Sequence, residues 1–469
     1  MIGHDPNRTY RAAVIGSGSG GLTAAIGLAG LGHESVLIEA AEVVGGDCTN
    51  VGCIPSKALL HAAATGDPEP LSTTRRLRDH LADEETVEMR EHPSIHFVQG
   101  WARLTDRREP HVILVDTADG EVEVRAEHVV IATGSSPVEF PIEGLDPDRI
   151  VTNETLFEAP DVPGHIVLVG GGAISLEMAT AFRDLGAEVS IVELQDRLAV
   201  NEDPLVSATI RAALEDRGVA IRTGTSIERF DGTTAVLGDG STIPDVDRVV
   251  LAVGRRPNTS GLGLDDAGVE HGNRGIVADD WGRTSVEGIW AVGDVSGNTL
   301  TTHGANAIGR KVVRGIGLPY LPKVGSLGAM ANAVYSRPEI ASVGLSLDEI
   351  EAMSPTRRRR YEFRFADTDR GFTDQIEHGV IVVEAERFTG RILRTSIVGP
   401  AAAEMIGIFT LAIDNGIGLR KMYGMVHPYP SYAMAIGKIV DSFALDTFTA
   451  LPREWWAMTR GRVRDRLRR

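Results

Sequence analysis

Two cysteines are the residues of this chain best suited to redox chemistry. The sequence contains only Cys48 and Cys53, within the segment Gly45–Lys57, which reads GGDCTNVGCIPSK. The pattern predicts that both thiols lie at one helix start, with Pro55 in the first turn. A helix N-terminus lowers a thiol pKa, and two thiols so placed can form a strained, reducible disulfide. Two thiolates with no His or Cys nearby do not complete a zinc site, so no metal site is predicted.

A glycine-rich turn near the N-terminus predicts a dinucleotide site. A short strand over 11–15 and an Ala/Leu-rich helix over about 22–31 flank the turn. The first glycine of such a turn permits a tight bend, the second admits a pyrophosphate, and the third lets helix and strand pack closely. These glycines are Gly16, Gly18 and Gly21. Glu39 ends the next strand, 35–39, where a carboxylate can accept hydrogen bonds from a ribose diol.

The same pattern returns in the middle of the chain. A strand over 165–169, a turn, a helix over 173–185 and a strand over 188–193 form a second βαβ unit. The turn contains Gly170 and Gly172, with Ser175 in place of the third glycine. Glu193 ends the last strand, where an acid favours the free 2′-hydroxyl of NAD(H) and repels the 2′-phosphate of NADP(H). Arg197 lies nearby and leaves NADP as the second choice.

The length and charge limit the architecture and the partners. A chain of 469 residues predicts two to three domains. A formal net charge of −18 argues against nucleic acid as a partner. No apolar run reaches the length of a transmembrane helix, and the few cysteines are typical of the cytoplasm. Strands over 380–384 and 392–398, followed by a helix over 401–413, predict a third, α+β domain, and the run Arg357–Arg360 is predicted to lie in a turn.

With these motifs in this order, the chain resembles the class I pyridine nucleotide-disulfide oxidoreductases, which include dihydrolipoamide dehydrogenase, glutathione reductase and mercuric reductase. The segments that carry the resemblance are Gly16–Gly21, Gly45–Lys57, Ala132–Gly134, Gly170–Glu177, Gly254–Asn258, Ala291–Asp294 and Tyr335–Gly344. The resemblance implies an α/β fold with two Rossmann-like domains, for FAD and NAD, and a C-terminal α+β dimerisation domain. The implied limits are 1–150 and 280–337 for the FAD domain, 151–279 for the NAD(P) domain and 338–469 for the dimerisation domain.

The resemblance also implies residue roles. Cys53 matches the thiol that faces the flavin, and Cys48 matches the interchange thiol that meets the substrate. Lys57 matches the lysine near flavin N5, Glu177 matches its carboxylate partner, and Asp294 matches the aspartate bonded to the ribitol of FAD. The other residues expected to bind FAD or NAD are Gly16, Gly18, Gly21, Glu39, Thr133, Gly134, Gly170, Gly172, Glu193 and Gly254.

The C-terminal region departs from the family pattern. Disulfide reductases of this family carry a His before a Pro, with a Glu five residues after the His, and this pair shuttles a proton to and from the interchange thiol. Aligned on Pro430, Tyr429 occupies the histidine position and Met434 the glutamate position. In another register His427 is the catalytic residue, with Tyr432 five residues on. Tyrosine, with an ordinary pKa near ~10, is a poor base at neutral pH.

Three functions remain open at this stage. The first is an FAD-dependent NAD(H) oxidoreductase acting on a dithiol or disulfide, closest to dihydrolipoamide dehydrogenase. The second function is a reductase of a quinone, a metal ion or another non-disulfide acceptor. It is favoured by the replacement of the His–Glu pair. The third is a flavin-bearing redox sensor or binding protein. The electron acceptor is a small molecule or is carried on a protein, and a homodimer is expected.

The C-terminal tail is rich in arginine. Pro452–Arg469 contains seven arginines and two tryptophans. A helix packed on the acidic body of the dimer is the favoured interpretation, and weak contact with a membrane surface is the alternative.

Overall fold

A computed structural model describes residues 5, 8–297, 300–321 and 328–449. The chain folds into two compact units, each assembled from separate stretches of sequence. Within the described residues, the first unit draws on Met1–Val169, Asp184–Ala187 and Glu228–Leu327, and the second on Gly170–Arg183, Glu188–Ile227 and Gly328–Arg469. The domain limits given above stay predictions, and the arginine-rich tail Pro452–Arg469 lies outside the described residues.

The helices are α1 (Ser19–Gly30), α2 (Gly46–Asn50), α3 (Cys53–Thr65), α4 (Pro70–Glu91), α5 (Ala173–Asp184), α6 (Pro204–Asp216), α7 (Leu264–Ala267), α8 (Thr302–Gly317), α9 (Leu347–Ala352), α10 (Asp369–Thr373), α11 (Ala402–Asp414) and α12 (Leu419–Met422). Residues 434–449 are also helical. The strands are β1 (Thr9–Ile15), β2 (Ser35–Glu39), β3 (Ile95–Gln99), β4 (Trp101–Arg108), β5 (His111–Thr117), β6 (Gly120–Ile131), β7 (Ser135–Pro137), β8 (Ile150–Val151), β9 (His165–Val169), β10 (Glu188–Glu193), β11 (Ala220–Thr223), β12 (Ile227–Asp231), β13 (Thr234–Leu237), β14 (Thr242–Ile243), β15 (Arg248–Leu251), β16 (Arg255–Pro257), β17 (His271–Gly272), β18 (Gly275–Ile276), β19 (Ile289–Ala291), β20 (Asn332–Val334), β21 (Glu339–Gly344), β22 (Arg358–Arg364), β23 (Val380–Glu386) and β24 (Ile392–Gly399). None of the helices in the described residues is long and apolar enough to cross a membrane.

A seven-stranded sheet forms the centre of the first unit. Its order is β3-β2-β1-β6-β5-β4, and β19 pairs with β6. The pairs β1–β2, β2–β3 and β1–β6 are parallel, whereas β4, β5 and β6 form an antiparallel meander. The parallel part places the carboxyl ends of β1 and β2 side by side, so that the glycine turn after β1 and the acid at the end of β2 meet at one edge.

The two faces of this sheet bury different cores, because successive strand residues point to opposite sides. In β1, Ala12 and Val14 face a core shared with α1 and α8, which includes Leu28 and Ile308. Ala13 and Ile15 join a second core on the opposite side of the sheet. When both faces of a strand are buried, nearly all of its residues are apolar. This explains the short apolar runs in this part of the sequence.

The second unit contains a five-stranded antiparallel sheet of order β20-β21-β24-β23-β22. Its core includes Phe365 and Ile397 from the sheet side, Phe409 from α11, and Ile439 and Phe443 from residues 434–449. The predicted strands and helix of this region are thus observed, each within two residues of the expected ends.

The prediction of a turn at Arg357–Arg360 was confirmed for Arg357 and wrong for the other three arginines. Arg358 to Arg360 begin β22, which pairs antiparallel with β23. The arginines suit this strand because it brings them to buried acids: Arg358 Nη1 lies 3.1 Å from Glu384 Oε2, and Arg360 Nη2 lies 2.9 Å from Asp203 Oδ1. Charge pairing across elements of the fold outweighs the local tendency of an arginine run to stay solvated.

Candidate active site

The two cysteines lie side by side in the first unit. Cys48 is in the middle of α2, and Cys53 is the first residue of α3. Their Sγ atoms are 3.0 Å apart, which is within reach of a disulfide bond after a small movement. The prediction of one shared helix start was wrong for Cys48, because the chain forms two helices that are separated at Val51 and Gly52.

A hydroxyl group from a distant part of the sequence contacts both sulfurs. Thr302 begins α8, and its Oγ1 contacts Cys48 Sγ and lies 3.5 Å from Cys53 Sγ. Thr302 was not predicted from the sequence, because 254 positions separate it from Cys48 and no motif marks it.

The pKa of the Cys48 thiol is raised, which contradicts the expectation that a helix N-terminus lowers it. The hydrogen bond with the Cys53 thiol is the largest cause, followed by burial, while the Thr302 hydroxyl acts in the opposite direction. A five-residue helix offers little dipole, so the neighbouring thiol and the loss of water dominate.

The first glycine turn has the geometry of a phosphate loop. Gly16 has φ +97°, and a Cβ on Gly21 would lie 2.0 Å from the Gly16 carbonyl oxygen, so helix and strand are in close contact. A Cβ on Gly18, in contrast, would meet nothing within 4 Å. Glu39 closes the turn, since its Oε2 accepts a hydrogen bond from the backbone N–H of Ser17 at 2.7 Å. Its Oε1 accepts from the N–H of Ala41 at 2.9 Å.

The second glycine turn repeats this geometry in the second unit. Gly170 has φ +108°, and a Cβ on Gly172 would again meet nothing within 4 Å. Glu193 accepts hydrogen bonds from the backbone N–H of Gly171 and, at 2.6 Å, from that of Gln195. Every one of these positions stands 154 residues after its counterpart in the first turn. The chain therefore contains the same loop twice, in sequence position and in hydrogen bonding.

The second turn differs at its third position. Ser175 replaces the glycine and is fully buried, and its Oγ has no hydrogen-bond partner among the described residues. Arg197, the residue that left NADP open, donates to the backbone carbonyls of Glu202 and Val200, both at 2.7 Å.

Thr133, Gly134 and Gly254 lie in two segments that are bonded to each other in the first unit. Thr133 Oγ1 donates to the carbonyl of Asn258 at 2.8 Å, and Asn258 Nδ2 donates to the carbonyl of Thr133 at 2.9 Å. The strands β7 and β16, which follow the two glycines, pair antiparallel. Asp294, at the start of a short 3-10 helix, accepts from Ser135 Oγ at 2.6 Å.

Lys57 and Glu177 belong to different units, so their pairing stays a prediction. Lys57 is in the second turn of α3, where its Nζ donates to Ser56 Oγ at 3.3 Å. Glu177 is buried in α5, and its Oε1 accepts from the backbone N–H of Tyr335 at 3.0 Å.

Comparison with known proteins assigns the family. Residues 10–309 match the pyridine nucleotide-disulphide oxidoreductase family, and residues 330–439 match its dimerisation domain. A dihydrolipoyl dehydrogenase 3 of Pseudomonas putida is 31% identical over 473 residues, with 93% of this chain and 99% of that protein covered. A mercuric reductase of Streptomyces lividans is 32% identical over 464 residues, with 93% and 97% covered. The structure of the HOCl-induced flavoprotein disulfide reductase RclA of Escherichia coli, as a Cu(II) complex, has a TM-score of 0.84 at 26% identity, with 93% and 99% covered.

The chain belongs to the pyridine nucleotide-disulphide oxidoreductases. Its fold class is the expected one, α/β with two Rossmann-like dinucleotide-binding domains and a C-terminal α+β dimerisation domain. As a member of this family, the protein is an FAD-dependent oxidoreductase with a pyridine nucleotide substrate. The comparisons leave its acceptor open, because dihydrolipoyl dehydrogenases and mercuric reductases both match it at nearly the same identity.

The first glycine turn of this oxidoreductase fits the pyrophosphate of FAD. α1 begins directly after Gly18, and no side chain caps its first turn. Its terminal N–H groups are therefore available to an anion, in the direction where the missing Cβ of Gly18 leaves open space. Glu39, although bonded to the turn, keeps carboxylate lone pairs that can accept from a ribose diol.

Tyr429 and His427, the two candidates for proton transfer, lie in the second unit. The Tyr429 side chain is 69% exposed, and the nearby Asp369 carboxylate raises its pKa. Burial lowers the pKa of His427, which therefore carries a neutral imidazole at neutral pH. Tyr429 is thus less ionised at neutral pH than an ordinary tyrosine, so little phenolate is present to accept a proton, and the catalytic role of either residue stays a prediction.

The second unit also contains a group of possible metal ligands. Asp216, Glu377 and His378 place ligand atoms within 4.8 Å of one another, and His378 Nε2 lies 2.6 Å from Asp216 Oδ2. The sequence analysis predicted no metal site and missed this cluster, because Asp216 ends α6 whereas the other two residues precede β23.

Proposed function

We propose that the protein transfers electrons between NAD(H) and a dithiol–disulfide substrate, as dihydrolipoamide dehydrogenases do. The observation that carries this proposal is the contact between the sulfurs of Cys48 in α2 and Cys53 at the start of α3. Two thiols at this distance can release two electrons and two protons and form a disulfide, and they can reverse that reaction. FAD, when bound, supplies the two-electron step between the nucleotide and this pair.

In the reductive direction, the disulfide of the enzyme takes up two electrons and two protons and becomes a dithiol. Cys48, after losing its proton, attacks one sulfur of the substrate and forms a mixed disulfide; the substrate S–S bond breaks, and the first substrate thiol leaves with that proton. Cys53 then attacks Cys48 and releases the second substrate thiol. The balance is NADH, one proton and one disulfide on one side, and NAD⁺ and two thiols on the other.

A second candidate is reduction of a quinone or a metal ion. It is favoured by Tyr429 and Met434, because reduction of such acceptors needs no proton transfer to and from an interchange thiol. The exposed tyrosine with its raised pKa supports this alternative. The homodimer expected of this family is part of both proposals and is supported by the match of residues 330–439 to the dimerisation domain.

A panel of acceptors separates the two candidates. We compare kcat/KM of the purified FAD-loaded protein for four reactions. These are lipoamide with NADH, dihydrolipoamide with NAD⁺, a benzoquinone with NADH, and Hg²⁺ or Cu²⁺ with NADH. Turnover of lipoamide or dihydrolipoamide supports the first candidate. Fast turnover of the quinone or a metal ion, with neither lipoamide reaction, contradicts it and supports the second.

Nucleotide preference gives a further prediction. We expect kcat/KM for NADH to exceed that for NADPH by at least about tenfold, or about 1.4 kcal/mol. The reason is that the Glu193 carboxylate at the end of β10 repels a 2′-phosphate, while Arg197 is bonded to backbone carbonyls and does not compensate. Glu193→Arg should narrow or invert this ratio.

The matched control for nucleotide preference is Glu188→Arg, at the exposed first residue of the same strand. It introduces the same side chain and should leave the ratio unchanged. Equal use of NADH and NADPH by the unaltered protein would show that Glu193 does not select the nucleotide.

A further inference from the structure

The side chain next to the interchange thiol is bound by an arginine from far along the chain. Asp47 precedes Cys48, and its Oδ2 accepts a hydrogen bond from Arg255 Nη2. The same guanidinium donates to Asn153 Oδ1 at 3.0 Å, to Ser135 Oγ at 2.8 Å and to the Ser135 carbonyl at 2.6 Å. These four bonds use the planar fork of arginine, which a lysine cannot reproduce.

The arginine also reaches the other end of the segment between the cysteines. Asn153, which accepts from Arg255, donates through Nδ2 to the Val51 carbonyl at 3.3 Å. Val51 itself donates its N–H to the Asp47 carbonyl at 2.9 Å. Arg255 therefore holds both ends of the segment that carries Cys48, one end directly and the other through Asn153.

The position of the arginine is fixed from outside the redox segment. Arg255 begins β16, which pairs with β7, where Ser135 lies. Ser135 Oγ bridges Arg255 to Asp294, and Arg255 Nε lies 4.0 Å from Asp294 Oδ2. The network thus joins the cysteine segment to the aspartate that is expected to bind the ribitol of FAD.

The network contains more carboxyl groups than cationic groups. Desolvation raises the pKa of the Asp47 carboxyl, Arg255 opposes that shift, and Asp294 adds to it. Glu154 also faces Asp47, and desolvation and the Asp47 charge raise its pKa. Among the described residues that these contacts bring together, Arg255 is the cation set against three carboxyl groups.

We propose that Asp47 and Arg255 are positioning residues that hold the Cys48–Cys53 segment and set the reduction potential of the cysteine pair with opposite signs. The proposal rests on the function proposed above, in which this pair is redox-active. Reduction of the disulfide by two electrons and two protons gives a dithiol that ionises to a thiolate, whereas the disulfide is uncharged. A negative charge beside Cys48 therefore favours the disulfide, and a positive charge favours the reduced pair.

The two single substitutions should move the potential in opposite directions. Asp47→Asn removes the carboxylate next to Cys48 and leaves the Arg255 charge in place, so it should stabilise the reduced pair about tenfold and raise the potential by about 30 mV. Arg255→Gln leaves the Asp47 charge uncompensated and should lower the potential by a similar amount. A purely structural role predicts shifts of the same sign for both, because each breaks the same hydrogen bonds.

The measurement is a thiol titration that does not depend on enzyme turnover. The purified FAD-loaded full chain is equilibrated anaerobically with dithiothreitol buffers of graded ratio, its thiols are alkylated, and the reduced fraction is read by mass. The pH at which the potential changes slope reports the thiol pKa, which should fall in Asp47→Asn and rise in Arg255→Gln. Asp148→Asn and Arg256→Gln, at exposed positions, serve as charge-matched controls and should leave the potential unchanged.

The outcomes are distinguishable. Opposite shifts with unchanged controls support the proposal. Shifts of the same sign, or none, in a pair that cycles normally overturn it and leave the proposed function intact. A pair that never forms a disulfide in the unaltered protein overturns the proposed function itself. If Arg255→Gln fails to fold, Arg255→Lys replaces it. This variant keeps the positive charge but loses the planar guanidinium. A reduction potential within about 10 mV of the unaltered value then shows that the charge of Arg255, and not its hydrogen bonds, sets the potential.

Discussion

Replacement of Cys48 or Cys53 by serine is expected to reduce the NADH-dependent reduction of a disulfide by at least about 10³-fold in kcat/KM. A serine hydroxyl neither forms a disulfide nor attacks one, so each variant removes one half of the exchange. Quinone reduction, measured on the same preparations, should change by less than about threefold, because a quinone can accept electrons from reduced flavin without thiol exchange.

The control is Thr49→Ser, between the two cysteines, which keeps a hydroxyl that can donate to Glu85 as Thr49 does at 3.1 Å. It tests whether disturbance of the segment alone lowers the rate. If both serine variants lost disulfide and quinone activity to the same extent, the cysteines would serve every acceptor, and the distinction between the two candidate functions would disappear.

Arg394→Met is expected to destabilise the second unit by about 3–5 kcal/mol, because it leaves a buried carboxylate without its cation. Arg394 is 8% exposed, and its Nη2 lies 3.1 Å from Oε2 of Glu202, which is itself 9% exposed. The guanidinium also donates to the Leu345 carbonyl at 2.8 Å, and Ser342 Oγ donates to the carboxylate at 2.7 Å. Denaturant unfolding, followed by tryptophan fluorescence and far-UV circular dichroism, measures the change.

The loss of stability in Arg394→Met should depend on pH, because Glu202 is a titratable group. Burial raises the pKa of Glu202, and Arg394 opposes that shift. A carboxyl whose folded-state pKa lies above its unfolded value contributes stability below the unfolded value and loses it as the pH rises through the folded one. Without Arg394 the folded pKa rises further, so the variant should be less destabilised at about pH 5 than at about pH 8.

The double variant Glu202→Gln/Arg394→Met should recover part of the loss, since no buried charge then remains unpaired. Arg364→Met, at the exposed end of β22 in the same unit, is the matched control and should change stability by less than about 0.5 kcal/mol. A loss in the double variant as large as in Arg394→Met alone would show that packing, not the unpaired charge, causes the effect.

The active-site segments could be predicted from the sequence because their geometry is local. A glycine turn, the strand before it and the acid at the end of the next strand are close in sequence, and each needs a particular residue type. The second turn could be recognised for the same reason, although its third glycine is a serine. The contacts that close each turn, from the Ser17 N–H to Glu39 and from the Gly171 N–H to Glu193, were not predicted, because they depend on how the strand after each helix is placed beside the turn.

The sequence by itself predicted the strands and helices around the dinucleotide turns, the positions of those turns, and the proximity of the two cysteines. Hydrophobic periodicity, glycine and cysteine spacing are properties of neighbouring residues, and they need no knowledge of the fold. Only the tertiary structure placed Thr302 against both sulfurs and Arg255 against Asp47, and only it moved Arg358–Arg360 from a turn into β22. Those contacts join residues that are up to 254 positions apart, and they form only once the sheets and their connections have brought these side chains together.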